Sequence, residues 1–264
     1  MILVGVTALL GVTRDVTDRR AVEEQLRLAR FTVISDINGK PVADPASEQI
    51  LIQQYDQQQW HDSGCMTFGP DGYLYVGIGD EGGSNDQYND GQKINDRLFS
   101  GILRIDVDQK AGSHAIRRQP LHNPVMPAGW PESFTANYRI PADNPFNDVS
   151  GGNLEEFYAI GIRQPYRFSY DAVSNRLWLA ESGQDTREEL DIVTAGLNFG
   201  WPFREGKISR PTGPQPPTVP ANIIGTLTEP VWDATHATDG CTVGGFVYRG
   251  AAHPSLVGKF ITVD

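Results

Sequence analysis

An all-β fold built from repeated small sheets, in the manner of a β-propeller, is what this 264-residue sequence predicts. Three observations carry the prediction. Nine short apolar or alternating runs recur between turn signals from Phe31 to the end of the chain. Two stretches about 100 residues apart follow one local plan, a separation of two propeller blades at roughly 40 to 50 residues each. Past residue 30 no stretch has the period of a long amphipathic helix, while Gly 28 and Pro 18 supply frequent turns. A hydrophobic share of 39% makes this a globular composition and not a disordered one.

The elements follow in chain order. The apolar run from Ile2 to Val12 lacks a cationic start and a small-residue cleavage site, so it reads as a buried strand and not as a secretory signal. The stretch RDVTDRRAVEEQLRLAR, residues 14–30, holds no Gly or Pro and sets Val22, Leu26 and Leu28 at helical spacing. With Asp15, Thr17 and Asp18 as candidate caps, it predicts a short N-terminal helix. The predicted strands are FTVIS from Phe31, YLYVGIG from Tyr73, ILRIDV from Ile102, EFYAIG from Glu156, YRFSYD from Tyr166, RLWLAE from Arg176, ELDIV from Glu189, GFVYRG from Gly245 and KFITVD from Lys259. The repeated plan is FGPDGYLYVGIGD and FSYDAVSNRLWLAESG: strand, Asp-centred turn, aromatic-bearing strand, then an exit with an acid and Gly. Residues 111–148, proline-rich and without periodicity, are too long for a hairpin connection and predict an ordered loop insertion.

Net charge is −11, and the first thirty residues carry five Arg against four acids, so the acidity belongs to the remainder. That balance argues against nucleic acid or an anionic membrane surface as the main partner. No segment is long enough to span a bilayer. Two cysteines, Cys65 and Cys241, exclude a disulfide framework and a Cys-rich zinc site, and leave one pairing open. There is no GxSxG elbow, no HExxH and no Walker sequence, which removes the usual support for hydrolase and NTPase readings.

Four places could carry chemistry. His61 precedes a strand on a polar loop, where an imidazole can serve as a general base or be merely structural. GIGDEGGSND, Gly77 to Asp86, follows a strand without a helix behind it; it fits a tight loop presenting Asp80 or Glu81 to a cation or polar ligand, or a solvated turn, better than a phosphate cradle. Arg163 ends an apolar strand beside a Gln-Pro turn and offers a fork of donors suited to carboxylate or quinone oxygens, or to a structural salt bridge. ESGQDTREELDIV, Glu181 to Val193, packs five acids around a glycine, a hard-oxygen set suited to Ca2+ without EF-hand spacing, with a solvated acidic turn as the alternative.

Taken in order, HDSGCMTFGPDGYLYVGIGDEGG, RLFSGILRIDVD, IPADNPF, EEFYAIGIRQPYRFSYD, LWLAESGQDTREELDIVTAGLNFGWPFREG, GGFVYRG and GKFITVD resemble the glucose/sorbosone dehydrogenase family. The resemblance implies a six-bladed propeller dependent on pyrroloquinoline quinone (PQQ) and Ca2+. It implies oxidation of an aldose C1 hydroxyl to the lactone, a small-molecule sugar substrate, an external electron acceptor and a periplasmic or extracellular location. His61 matches the family's catalytic base, Asp80 the acid that orients it, and Arg163 the arginine that contacts the quinone oxygens. Gly183 and Gln184 match the turn whose backbone carbonyls hold the catalytic Ca2+, and Glu188, Glu189 and the Phe199 carbonyl match a second, structural calcium site. Trp60 stands where an Asp is common, and Gln164 stands at the cofactor-contacting position where Asn is usual. The family's first and last blades have no counterpart in these motifs, so the expectation is a partial β-propeller of three to four blades over residues 30–264. A calcium-stabilised propeller used only for binding, as in the related Hedgehog-interacting protein, is the alternative, together with a relic fragment. Residues 1–29 form a separate N-terminal segment, in which GVTRDVTDRRAVEEQLRLAR resembles the end of a PAS sensor domain and its connecting helix.

Overall fold

The computed structural model describes residues 5–8, 25–58, 60–62, 65–130, 132–210, 219–237 and 240–263. Among these the chain is β with two single-turn 3-10 segments, Pro45–Ser47 and Pro254–Leu256. Its architecture is a partial β-propeller: three sheets packed face to face, followed by the hairpin Gly244–Val247 and Phe260–Val263.

The first sheet orders the strands Gly5–Ala8, Gln25–Phe31, Gln49–Tyr55 and Phe134–Thr135, all antiparallel. The second sets Met66–Phe68, Leu74–Ile78, Gly101–Ile105 and Phe157–Ile160 side by side, then adds Leu197–Asn198 and Thr226–Leu227 as short parallel partners. The third runs Arg167–Asp171, Arg176–Glu181, Arg187–Val193 and Trp232–Thr235.

The middle sheet explains why its strands read as unbroken apolar runs. Leu74, Val76, Ile78, Leu103, Ile105 and Phe157 face the first sheet and pack with Leu26, Leu28, Leu51 and Ile52. Their neighbours Tyr75, Ile102 and Ala159 face the third sheet and pack with Phe168, Leu177, Leu179 and Val193. Successive side chains of a strand point to opposite faces, so a sheet covered on both faces needs apolar residues at every position. Each blade thus supplies half of two cores.

All nine predicted runs contain strands. The two copies of the local plan are two equivalent hairpins, Met66–Phe68 with Leu74–Ile78 and Arg167–Asp171 with Arg176–Glu181, but they lie in neighbouring sheets, one blade apart and not two, because the proline-rich excursion lengthens the chain between them. The proline-rich stretch is an ordered excursion tied down by Ser113–His114, Phe134–Thr135 and Ile140–Pro141. Gly5–Ala8, inside the first apolar run, is a strand paired with Phe31–Leu28.

The short N-terminal helix needs correction. Residues 9–24 lie outside the described residues, but Gln25–Phe31 is strand, paired with Tyr55–Gln49. Leu26, Arg27 and Leu28 alternate before the pairing shifts at Ala29, and burial of Leu26 and Leu28 against the second sheet selects the period of two over the helical spacing. This strand crosses the division drawn between residues 29 and 30. Cys65 and Cys241 are not joined in a disulfide. No helix among the described residues is long and apolar enough to cross a membrane.

Candidate active site and cation-binding acids

The strand Leu74–Ile78 ends in Gly79 and Asp80, where two other loops converge. A Cβ at Gly79 would lie 2.2 Å from the carbonyl oxygen of His61 and 2.8 Å from that of Arg163, so only glycine lets both loops close on the strand end. The Asp80 N–H donates to the Arg163 carbonyl at 2.9 Å. Three elements distant in sequence therefore meet at one backbone position.

Asp80 is fully buried. Its Oδ1 accepts from His61 Nδ1 at 2.6 Å and from the Gly82 N–H at 3.2 Å, and its Oδ2 accepts from the Trp201 indole N–H at 2.7 Å. An ionised carboxylate can only accept, so Nδ1 of His61 donates to it, and the neutral imidazole in this arrangement has its lone pair on Nε2. His61 has φ of 61°, a left-handed conformation that costs a non-glycine residue and that clusters at functional sites. Its loop is pinned from behind: Glu81 accepts the Gln57 N–H at 3.1 Å and pairs with Arg97 at 2.9 Å. Beside it, burial and the facing Asp62 hold the Asp56 carboxyl well above the usual carboxylate range.

Arg163 points its Nη1 at the carbonyls of Ser182 and Gly183, at 3.1 and 2.8 Å. Its guanidinium lies 5.5 Å from the Trp201 ring centroid, and that of Arg210 lies 4.6 Å from it. Burial lowers the Arg163 pKa from its ordinary value, with Asp80, Glu181 and Glu205 opposing. Its Nε is buried without a hydrogen-bond partner. Gln164, the next residue, is half-buried. His61, Asp80, Arg163, Trp201 and Gly183 thus share one site.

Gly183 and Gln184 open a turn that sequence reasoning found, but the group that holds it went unseen. Glu205 Oε1 accepts four consecutive backbone N–H groups, those of Gln184, Asp185, Thr186 and Arg187, at 2.9, 2.8, 2.7 and 3.1 Å. Its Oε2 pairs with Arg210 Nε at 3.1 Å. Burial pushes the Glu205 carboxyl up, yet the backbone donors and Arg210 outweigh it and leave the pKa below the ordinary value. A Cβ at Gly183 would meet the Arg187 carbonyl oxygen at 1.7 Å, which makes glycine obligatory. The Gln184 side chain accepts the Asn85 N–H at 2.7 Å and ties the glycine-rich loop to this turn. In the sequence, Glu205 is one carboxylate in FREG with no local partner to mark it.

Within the second predicted cation set, Glu188 and Glu189 do not share a face: they are neighbours in the strand Arg187–Val193 and point to opposite sides. Glu188 is taken by His236 Nε2 and the Thr242 N–H, both at 2.7 Å. Phe199 is buried, with its N–H donating to the Ile160 carbonyl at 3.0 Å. On the other face Glu189 meets Glu181 and Asp191, one oxygen of each lying within 4.8 Å of the others.

A model of the glucose/sorbosone dehydrogenase family matches residues 132–263. The HIPL1 protein of Arabidopsis thaliana is 33% identical over 213 residues, covering 77% of this chain and 28% of its own length. Aldose sugar dehydrogenase YliI of Escherichia coli (strain K12) is 28% identical over 182 residues, covering 68% of this chain and 39% of its own. The PQQ-bound aldose sugar dehydrogenase of Streptomyces coelicolor superposes on 86% of this chain and 54% of its own with a TM-score of 0.51 at 22% identity, a likeness of fold. The chain spans about a quarter to two fifths of the length of these two curated relatives.

Proposed function

The chain belongs to the glucose/sorbosone dehydrogenase family, and on that premise we propose that its site serves oxidation of an aldose C1 hydroxyl to the lactone, with PQQ and Ca2+ as cofactors. The observation that carries the reading is the His61–Asp80 pair held against Arg163 across Gly79.

The donor set fits the two cofactors. Arg163 brings a fixed cation with an unpartnered buried Nε, and Gln164 adjoins it, so both would lie against the quinone oxygens. The carbonyls of Gly183 and Gln184 would hold Ca2+; the Gly183 oxygen accepts one bond from Arg163 and keeps a second lone pair. When bound, PQQ with its Ca2+ supplies the two-electron acceptor for the hydride leaving C1. Nε2 of His61 takes the proton of the C1 hydroxyl, and the buried Asp80 carboxylate fixes the tautomer and stabilises the imidazolium that results. Trp201 holds the far oxygen of Asp80 so that this carboxylate cannot turn away. Turnover would require an external electron acceptor, and on the family resemblance we propose a location in the periplasm or outside the cell.

The test is titration of the protein with PQQ in the presence of Ca2+, followed by aldose-dependent reduction of a dye acceptor. His61→Ala is expected to abolish turnover and spare PQQ binding. Undiminished turnover removes the assignment of His61 as base. A rise in Tm with Ca2+ to which PQQ adds nothing would replace this reading with a calcium-stabilised binding module.

A further inference from the structure

We propose that Asp56 and Asp62 share one proton between facing side-chain oxygens, and that this bridge closes the loop presenting His61, which makes the two carboxyls positioning residues for the base. The proposal rests on the reading of His61 as base, and its test separates the two. The chain leaves the strand Gln49–Tyr55 at Asp56 and returns beside it at Asp62, one residue past His61. Asp56 is 1% exposed, and its Oδ1 accepts the Gln58 N–H at 3.1 Å. Its Oδ2 and the Oδ1 of Asp62 are both buried, and no donor among the described residues reaches either.

Two ionised carboxylates have no hydrogen to offer each other, so both facing oxygens would stay bare and the charges would repel. One proton held between them satisfies both. Burial, the facing Asp62 and the Glu81 charge push the Asp56 carboxyl well above the usual range. Burial raises Asp62 as well, while the bond from Asp56 and the charge of His61 oppose it. Asp56 therefore keeps the proton on Oδ2 and donates it to Asp62, although its loss belongs to the pair and not to either residue. The charged groups facing the pair are His61 on the same loop and Glu81 from the glycine-rich loop. Glu81 is paired with Arg97, which also holds Asp90.

The loop needs such a tie. Its backbone is seated on the glycine-rich run: a Cβ at Gly82 would meet the Trp60 carbonyl oxygen at 2.9 Å, as one at Gly79 would meet that of His61. Gln58 Nε2 donates to the Tyr88 hydroxyl at 2.7 Å. These contacts press the loop against its neighbours, whereas the Asp56–Asp62 bridge joins its two ends and so holds His61 at its left-handed φ of 61°. The negative charge that stays on Asp62 also favours the imidazolium formed when His61 takes a proton. A rise in pH that removes the shared proton sets two carboxylates against each other across the loop and turns His61 away from Asp80. A base alone loses activity on the acid side of a pH profile; this pair adds a fall on the alkaline side.

The test is the 15N spectrum of the His61 ring, read through its carbon-bound protons from neutral pH upward and assigned by its absence in His61→Ala. Those shifts report which ring nitrogen holds the proton. The wild-type protein is expected to show the Nδ1–H tautomer at neutral pH and to pass to a mixture of tautomers as the pair loses its proton. Asp62→Ala should show the mixture throughout. Asp56→Asn is the conservative replacement, because its oxygen accepts the Gln58 N–H while its NH2 donates permanently to Asp62; it should hold the Nδ1–H tautomer over the whole range. With PQQ, Ca2+ and an aldose, Asp62→Ala should lower kcat by about 10²-fold through a displaced base with little change in KM, and Asp56→Asn should remove the alkaline fall. The proposal fails if Asp62→Ala keeps the wild-type tautomer, or if Asp56→Asn follows the wild-type pH dependence. The spectrum needs neither cofactor nor sugar, so the expected tautomers in a protein without turnover would uphold the bridge and overturn the oxidation reading.

Discussion

Asp80→Asn is the sharpest perturbation of the proposed base. The carboxylate receives three donors, two of them short: His61 Nδ1 at 2.6 Å and the Trp201 indole at 2.7 Å. Trp201 can only donate, so the single oxygen of an asparagine must stay with it, and the amide NH2 then faces His61. An NH2 group there forces Nδ1 to accept, which moves the imidazole proton to Nε2, the atom that has to take the proton of the sugar hydroxyl. Losing the correct tautomer lowers turnover by about 10³–10⁴-fold, equivalent to roughly 4–5 kcal/mol of transition-state stabilisation. Stability falls less, by about 2 kcal/mol, as two charge-assisted bonds become neutral ones. The assay is aldose-dependent dye reduction at saturating PQQ and Ca2+, with urea denaturation on the same sample. The double variant His61→Ala/Asp80→Asn should be no slower than His61→Ala, because the two residues act as one unit. Turnover of Asp80→Asn within tenfold of wild type, or additive losses in the double variant, would refute the reasoning.

Two further outcomes concern groups outside the proposed chemistry. Glu205→Gln keeps an acceptor for the 184–187 turn but loses its charge and the Arg210 pair, and should cost roughly 2–3 kcal/mol in urea denaturation; a loss below about 0.5 kcal/mol would show that the turn holds itself. Burial pushes Glu156 from 4.5 to about 7 while the Tyr138 hydroxyl donates to it at 2.6 Å. The folded state therefore keeps a proton that the unfolded chain releases, and stability present below pH 4.5 is lost as pH rises through 7, by about 3 kcal/mol. Glu156→Gln should flatten that slope between pH 5 and 8, and an unchanged slope would assign it elsewhere.

The strands that alternated or ran apolar were legible because their own residues carry the period, as in YLYVGIG and RLWLAE. Gln49–Tyr55 was not, because its buried polar residues break the pattern. Gln54 is fully buried and exchanges two hydrogen bonds with the backbone of Leu98, 44 residues away. Gln25–Phe31 was read as helix because its true partner is that same hidden strand.

At the site, the sequence alone singled out His61, Asp80, Arg163 and the Gly183 turn, which stand in motifs that resemble the family's, while leaving each a structural alternative. Tertiary structure decided who meets whom. Glu205 reaches its turn, Trp201 reaches Asp80 from 121 residues away, and Glu189 joins Glu181 and Asp191 while the adjacent Glu188 leaves for His236. A run of acids states its charge in one dimension, but the two-residue period of a strand and the register of its neighbour divide that charge between two faces, and only the folded sheet fixes the register.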